Sequence, residues 1–235
     1  MKKGILLFFF FVLFIYSAHF VFSHEAEEEP VTRHPDIFPL TQLQALEYGS
    51  LVFSVMIVIA LLFHKVMNDS AKKIMYFLIV TLVSSVTLYL VAATIYMNHI
   101  SPTKGPVHWH ADYEIWVCGK QINLEKPKGM SNMQGTELVH SHDDNRIHVE
   151  GTLIDKNDAS LGSFFHAIGG SLYDDGISVP TDNGIIFVSD GGICNGKPGR
   201  FYVFVNGKLQ ANPSAYVISP FEKVPPGDRI KFVLE

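Results

Sequence analysis

Histidine pairs separated by one residue are the feature of this sequence with the clearest potential for chemistry. Six of the eleven histidines lie beyond residue 100, and five of those fall between His108 and His148. They form the series His108-Trp109-His110, His140-Ser141-His142 and His148-Val149-Glu150. Residues i and i+2 of a β-strand project from the same face, about 7 Å apart along the backbone, so each pair can direct two donor groups at one ion.

Neutral imidazole is a good ligand for Zn, Cu, Ni and Fe. The sequence therefore predicts one transition-metal ion, Cu or Zn, held by the five histidines His108, His110, His140, His142 and His148. Nearby carboxylates would either bind the ion or accept the second ring N–H of a ligand histidine. The candidates for that role are Asp112, Glu114, Asp143 and Glu150.

The same segments carry a resemblance to a class of membrane-anchored extracytoplasmic domains without an assigned activity. That class shares H-x-H…V-x-G-K, L-x-H-x-H-D, I-H-x-E and a helix of the L-G-x-F-F type. The corresponding segments here are VHWHADYEIWVCGK (107–120), LVHSHDD (138–144), RIHVE (146–150) and LGSFF (161–165). The resemblance implies a shared type of site and names no chemistry.

Other interpretations of the histidines stay open at this point. They could be unliganded polar packing in an assembly module, or a cluster whose charge changes between about pH 5 and 8. An enzyme is a further alternative, in which three histidines hold zinc and its open fourth position activates water. The series His108-x-His110-x3-Glu114 also resembles the ligand core of cupin oxygenases, but Ile230 stands where the second cupin motif has histidine.

The two cysteines, Cys118 and Cys194, are 76 residues apart. Disulfides persist in oxidising compartments, so one bond between them is expected if this part of the chain lies outside the cytoplasm. The alternative is a thiolate ligand, since His2Cys is the blue-copper set.

Short alternating segments beyond residue 100 predict a mainly β domain over 101–235. Asp112–Cys118 leads through Gly119-Lys120 into Gln121–Leu124, and Asn206-Gly207 is the strongest two-residue hairpin signal. Apolar residues from Leu161 to Ile168 have helical spacing, with Ser160 as the N-cap. We therefore expect an α+β fold with one short helix, either β-grasp-like or a small β-sandwich. The second half resembles β-grasp (ubiquitin-like) domains in FYVFVNGK (201–208) and PPGDRIKF (225–232).

The first 100 residues hold most of the apolar excess. Residues 1–23 have a basic start and a long apolar run, which predicts a signal peptide or a signal anchor. An acidic linker is expected over 24–46, and two transmembrane helices over 47–66 and 74–97. The intervening loop, 67–73, and its flank are rich in lysine, which places the loop in the cytoplasm and both flanking segments outside.

These observations exclude some functions and favour one. The net charge of −5 lacks the basic footprint of a nucleic-acid-binding protein. The apolar stretches within the predicted spans, 48–63 and 74–97, contain no Asp, Glu, Lys or Arg that would mark an ion pathway. The expected partners are the lipid bilayer and other membrane subunits. The favoured function is a multi-pass cell-membrane protein whose C-terminal extracytoplasmic domain binds Cu or Zn for storage, delivery or sensing.

Overall fold

The computed structural model describes residues 40–127, 132–218 and 227–235. The predicted signal segment, 1–23, and most of the predicted linker, 24–46, lie outside the described residues. The chain divides into two compact units, with the boundary between Tyr96 and Met97.

The first unit contains two long apolar helices, α1 (Gln42–Phe63) and α2 (Asp69–Ile100). Both are long and apolar enough to cross a membrane. Thr41 begins α1 with a capping box, because its hydroxyl accepts from the backbone N–H of Gln44 and the Gln44 side chain accepts from that of Thr41. Helix α2 begins at Asp69, so the loop is shorter than the predicted 67–73.

The two helices form an antiparallel pair. The Gln42 side chain donates to Thr94 Oγ1 at 2.9 Å, and the Tyr89 hydroxyl donates to the carbonyl of Leu40 at 2.6 Å. These bonds connect the start of α1 to the second half of α2. Among the described residues, most of the exposed large apolar side chains belong to this helical pair.

The second unit is rich in β-structure. Its strands are β1 (Val107–Val117), β2 (Lys120–Ile122), β3 (Gln134–Gly135), β4 (Val139–Ser141), β5 (Arg146–Gly151), β6 (Ser171–Tyr173), β7 (Gly176–Thr181), β8 (Gly184–Ser189), β9 (Ile193–Cys194), β10 (Lys197–Pro198), β11 (Phe201–Val205), β12 (Lys208–Leu209) and β13 (Asp228–Leu234). A 3-10 turn, Lys156–Ala159, precedes the short helix α3 (Leu161–Ala167). The α+β class is confirmed.

The main sheet has the strand order β12-β11-β13-β1-β5-β4-β3. Strand β1 is central because both of its edges are paired. One edge pairs in parallel with β13, and along the other edge the first half of β1 pairs with β5 and its end pairs with β2. Separate small sheets contain β6-β7-β8 and β9-β10.

One face of the main sheet covers the core. Ala111, Ile147 and Val149 project to this face and are fully buried, together with Phe164 and Phe165 of α3. Helix α3 begins where the sequence predicted, since Ser160 Oγ accepts from the backbone N–H of Ser163 at 3.1 Å. Because side chains alternate along a strand, the residues between these core positions project to the opposite face.

The two predicted hairpins are present, with one correction. Asn206 and Gly207 both have positive φ, 51° and 77°, as a type I′ turn requires. The first hairpin turns at Cys118-Gly119, one residue earlier than the predicted Gly119-Lys120, with φ values of 51° and 79°. Cys118 is joined to Cys194 by a disulfide, which connects this turn to β9.

Two glycines lie against the strands that carry histidines. Gly227 has φ of +74°, and a Cβ there would overlap the carbonyl oxygen of His110. Gly135 has φ of +121°, and its Cβ would lie 2.5 Å from the carbonyl oxygen of Val139 and 2.9 Å from His140 Cα. A side chain at either position would force the neighbouring strand to move.

Substituting Gly227 by alanine tests this close approach. We expect Gly227→Ala to destabilise the sheet unit by more than the roughly 1 kcal/mol that a positive φ alone costs, because β1 must shift at His110. The matched control is Gly196→Ala, where φ is +81° and a Cβ would meet nothing within 4 Å. Denaturant unfolding of the full-length protein in detergent measures both, and equal losses of stability would contradict the steric argument.

Candidate metal centre

The histidines share one face of three neighbouring strands. In the ladder between β1 and β5, His108 lies opposite Glu150 and His110 opposite His148. In the ladder between β5 and β4, His148 lies opposite His140. The row His110–His148–His140 therefore runs across the sheet, and the core-facing residues on both sides of each histidine fix it in this register.

A first group, called the β1/β5 group, consists of His108, His110, His148 and Glu150, whose ligand atoms lie within 4.8 Å of one another. His108 Nε2 is 3.1 Å from His110 Nε2 and 3.3 Å from Glu150 Oε1. His148 Nδ1 is 3.8 Å from the same Glu150 oxygen. Ligand atoms of a tetrahedral ion with bonds of about 2.0–2.1 Å are about 3.4 Å apart, so these spacings suit a zinc-like ion.

A second group, called the β4/β5 group, consists of His140, His142 and His148, again with ligand atoms within 4.8 Å. The Nδ1–H of His140 donates to the carbonyl of Thr136 at 3.1 Å, and that of His142 to the carbonyl of Asn132 at 2.6 Å. A carbonyl oxygen only accepts, so both rings carry their proton on Nδ1 and keep the Nε2 lone pair for a ligand.

His148 belongs to both groups and is held by a carboxylate. Its Nε2 is 2.9 Å from Asp144 Oδ2, and its ring centroid lies 4.7 Å from that of His110, 4.8 Å from that of His142 and 5.5 Å from that of His140. A carboxylate bonded to one ring nitrogen orients a histidine that ligates metal through the other nitrogen.

Charge and burial favour neutral imidazole. Burial lowers the pKa of His110, and the positive charges of His148, His108 and Arg146 lower it further, against the opposing effect of Glu150. Burial also lowers the pKa of His140, with a second contribution from His142. Burial opposes ionisation of Asp144, but the hydrogen bond and charge of His148 outweigh it and lower the pKa of that carboxyl. The rings of His110 and His140 are therefore ready to bind metal near neutral pH, since protons compete with metal for imidazole.

Of the four carboxylates predicted near the metal, one lies among the histidines and three are paired with other side chains. Glu150 joins the histidines, as described above. Asp112 accepts from Arg146 Nε at 2.7 Å, Glu114 accepts from Trp116 Nε1 at 2.8 Å, and Asp143 lies 3.4 Å from Lys126 Nζ.

Sequence reasoning did not single out Asp144, which is the carboxylate that holds His148. The only signal for it was the doubled aspartate after H-x-H.

Tyr113 projects to the core face of β1 and is not a candidate ligand. Burial raises the pKa of its hydroxyl to about 12, against the opposing hydrogen bond of Ser141, so the hydroxyl stays protonated and is not a phenolate ligand.

Comparisons with known proteins add no assignment to this geometry. No family model matches the chain, and no curated protein or solved structure matches it.

The pKa shifts predict how stability without metal depends on pH. Because the pKa values of His110 and His140 are lowered in the fold, the unfolded chain takes up protons first as the pH falls below about 6.5. The stabilising effect of these neutral rings is fully present above pH 6.5 and is lost progressively below it. We expect the Tm of the metal-free full-length protein in detergent to fall between pH 7 and pH 5.

In His110→Gln/His140→Gln this fall should be smaller, because neither position can take up a proton. His166→Gln is the control, since His166 is an exposed residue of α3 and belongs to neither histidine group. A double variant with the same pH dependence as the control would show that the two rings do not carry the effect.

Proposed function

We propose that this is a membrane-anchored protein whose extracytoplasmic sheet unit binds a transition metal, zinc or copper, for storage, delivery or sensing. The observation that carries the proposal is the spacing of donor atoms in the β1/β5 group, where His108 Nε2 lies 3.1 Å from His110 Nε2 and 3.3 Å from Glu150 Oε1. Donors at this distance fit the edges of a tetrahedral metal site.

The exposure of the site supports delivery or sensing over sealed storage. The side chain of His108 is 65% exposed and that of Glu150 37%, whereas that of His148 is 12% exposed. One side of the β1/β5 group is therefore open to solvent. An ion there is reachable by the donor groups of a partner protein, which a closed structural site does not permit.

Membrane topology supports an outer location for the sheet unit. Lys65 precedes α2, and Lys72 and Lys73 lie in its first turn, so the end of the helical hairpin that contains them belongs in the cytoplasm by the positive-inside rule. The opposite end of α2 leads into the sheet unit. The disulfide between Cys118 and Cys194 agrees with an oxidising compartment.

A β-grasp-like fold is part of the same proposal. Its support is the strand order β2-β1-β13-β11-β12, with β1 and β13 parallel at the centre and α3 between the two hairpins in sequence. On this interpretation β5, β4 and β3 extend the sheet beside the N-terminal half of β1, and the histidines lie on that half and on the extension.

The assembly-module alternative receives less support. It would be favoured by histidine pairs scattered over different faces, whereas the described pairs share one face of three strands. For the cupin-like enzyme, Glu114 would have to be a ligand, but its carboxylate is bonded to Trp116.

Removing two ligands tests the proposed function. Full-length protein without an affinity tag, stripped of metal in detergent and re-equilibrated with Zn²⁺ or Cu²⁺, should retain bound metal after dialysis. His108→Ala/His110→Ala should lose at least one equivalent by elemental analysis, because the β1/β5 group then keeps only His148 and Glu150. The control His166→Ala should bind as the unaltered protein does. No bound metal in the unaltered protein would refute the proposal.

A milder substitution tests how His148 is held. Asp144→Asn keeps an oxygen for the backbone N–H of Arg146 but removes the carboxylate from His148 Nε2. We expect metal affinity to fall about 10–100-fold, as is typical when a partner of a ligand histidine is altered. Asp143→Asn is the matched control, since Asp143 is next to Asp144 in the chain but pairs with Lys126 and not with His148. Competition titration against a chelator measures both, and equal affinities in the two variants would contradict the role of Asp144.

A further inference from the structure

We infer that the histidine face holds two metal ions, not one, and that His148 is their common ligand. This inference rests on the proposed metal-binding function and adds a second centre, the β4/β5 group, to the β1/β5 group. The sequence alone suggested convergence of all five histidines on a single ion.

The grouping of the donor atoms argues against a single ion. His110 and His140 lie on either side of His148, each on a different neighbouring strand. Among the described residues, no group of donor atoms within 4.8 Å of one another contains both His110 and His140. Ligands of one ion with bonds of about 2.0–2.1 Å must approach within about 4 Å of one another. The donors lie within 4.8 Å of one another in each group, and His148 is the member that the two groups share.

The two ring nitrogens of His148 have different neighbours. Nδ1 lies 3.8 Å from Glu150 Oε1, which belongs to the β1/β5 group. Nε2 lies 2.9 Å from Asp144 Oδ2, two residues beyond His142 of the β4/β5 group. An imidazole that ligates one ion through each nitrogen has lost its ring proton. In this case the proton on Nε2 leaves to solvent when the second ion binds, and Asp144 keeps a charge beside that ion.

The remaining ligands complete two separate sets. The β1/β5 set supplies His108, His110 and Glu150 besides His148. The β4/β5 set supplies the Nε2 atoms of His140 and His142, which their hydrogen bonds to the Thr136 and Asn132 carbonyls leave free. The second set therefore has three imidazoles and an adjacent carboxylate, which is sufficient for a divalent ion.

Stoichiometry in matched variants tests this inference. The full-length, tag-free protein in detergent is stripped with a chelator and titrated with Zn²⁺, and bound metal is counted by elemental analysis after dialysis. We expect two equivalents in the unaltered protein. His108→Ala/His110→Ala and His140→Ala/His142→Ala should each retain one, and the variant with all four substitutions should retain none, which also sets the background from other histidines.

The role of His148 needs a separate measurement. We expect His148→Ala to weaken both zinc equivalents at least tenfold in chelator competition, whereas removal of any other histidine weakens mainly one. His148→Gln replaces it if the alanine variant does not fold by circular dichroism. With Cu²⁺ in both centres, a bridging imidazolate also couples the two spins. The electron paramagnetic resonance signal should then integrate to less than two spins in the unaltered protein and to one spin in either double variant.

The outcomes separate the two proposals. One equivalent that disappears in either double variant overturns the two-ion inference and leaves the metal-binding function standing. If the unaltered protein binds two equivalents and His148→Ala weakens only one of them, the proposal that His148 is a shared ligand is overturned. No specific metal in the unaltered protein overturns both.

Discussion

The register of three strands is the constraint on which the rest of this site depends. Strand β5 lies between β1 and β4, and the two ladders place His148 opposite His110 on one edge and His140 on the other. A slip of one residue in either ladder would turn the histidines into the core. The register is held because Ile147, Val149 and Val139, at most 2% exposed, project to the other face. The apolar core therefore determines the geometry of the polar face.

Alternation along a strand places apolar residues on one face and the histidines on the other. A metal site also requires that the histidine rings have fixed orientations. Backbone carbonyls of Thr136 and Asn132 supply these for His140 and His142, and Asp144 does so for His148. The glycines at 135 and 227 let neighbouring backbone approach the strands that carry His140 and His110. Ordered rings lose less side-chain entropy when a metal binds, so preorganisation favours affinity.

Strands, turns and the short helix could be predicted from the sequence, whereas the hydrogen-bond partners of individual side chains could not. Period-two alternation, the Asn206-Gly207 turn and the Ser160 cap depend on neighbours in the chain, and local chemistry was sufficient to locate them. The pairing of Asp112 with Arg146 joins residues 34 positions apart, and it depends on a register that no local pattern specifies. For the same reason, sequence reasoning grouped Asp143 with the histidines and missed Asp144. Both follow His142, and only the conformation of the turn, where Asp143 has φ of 65°, decides which carboxylate reaches His148.

The disulfide also narrows the chemistry of the site. The chain has two cysteines, and they are bonded to each other, so thiolate is removed from the donor set. Soft thiolate ligands favour Cu(I), whereas imidazole with carboxylate suits Zn(II) and Cu(II). A centre made of His108, His110, His148 and Glu150 therefore favours divalent ions, and the blue-copper interpretation of Cys118 loses its ligand. The same oxidising compartment that would permit the disulfide would also maintain copper in its divalent state, so the covalent bond and the donor set favour the same surroundings.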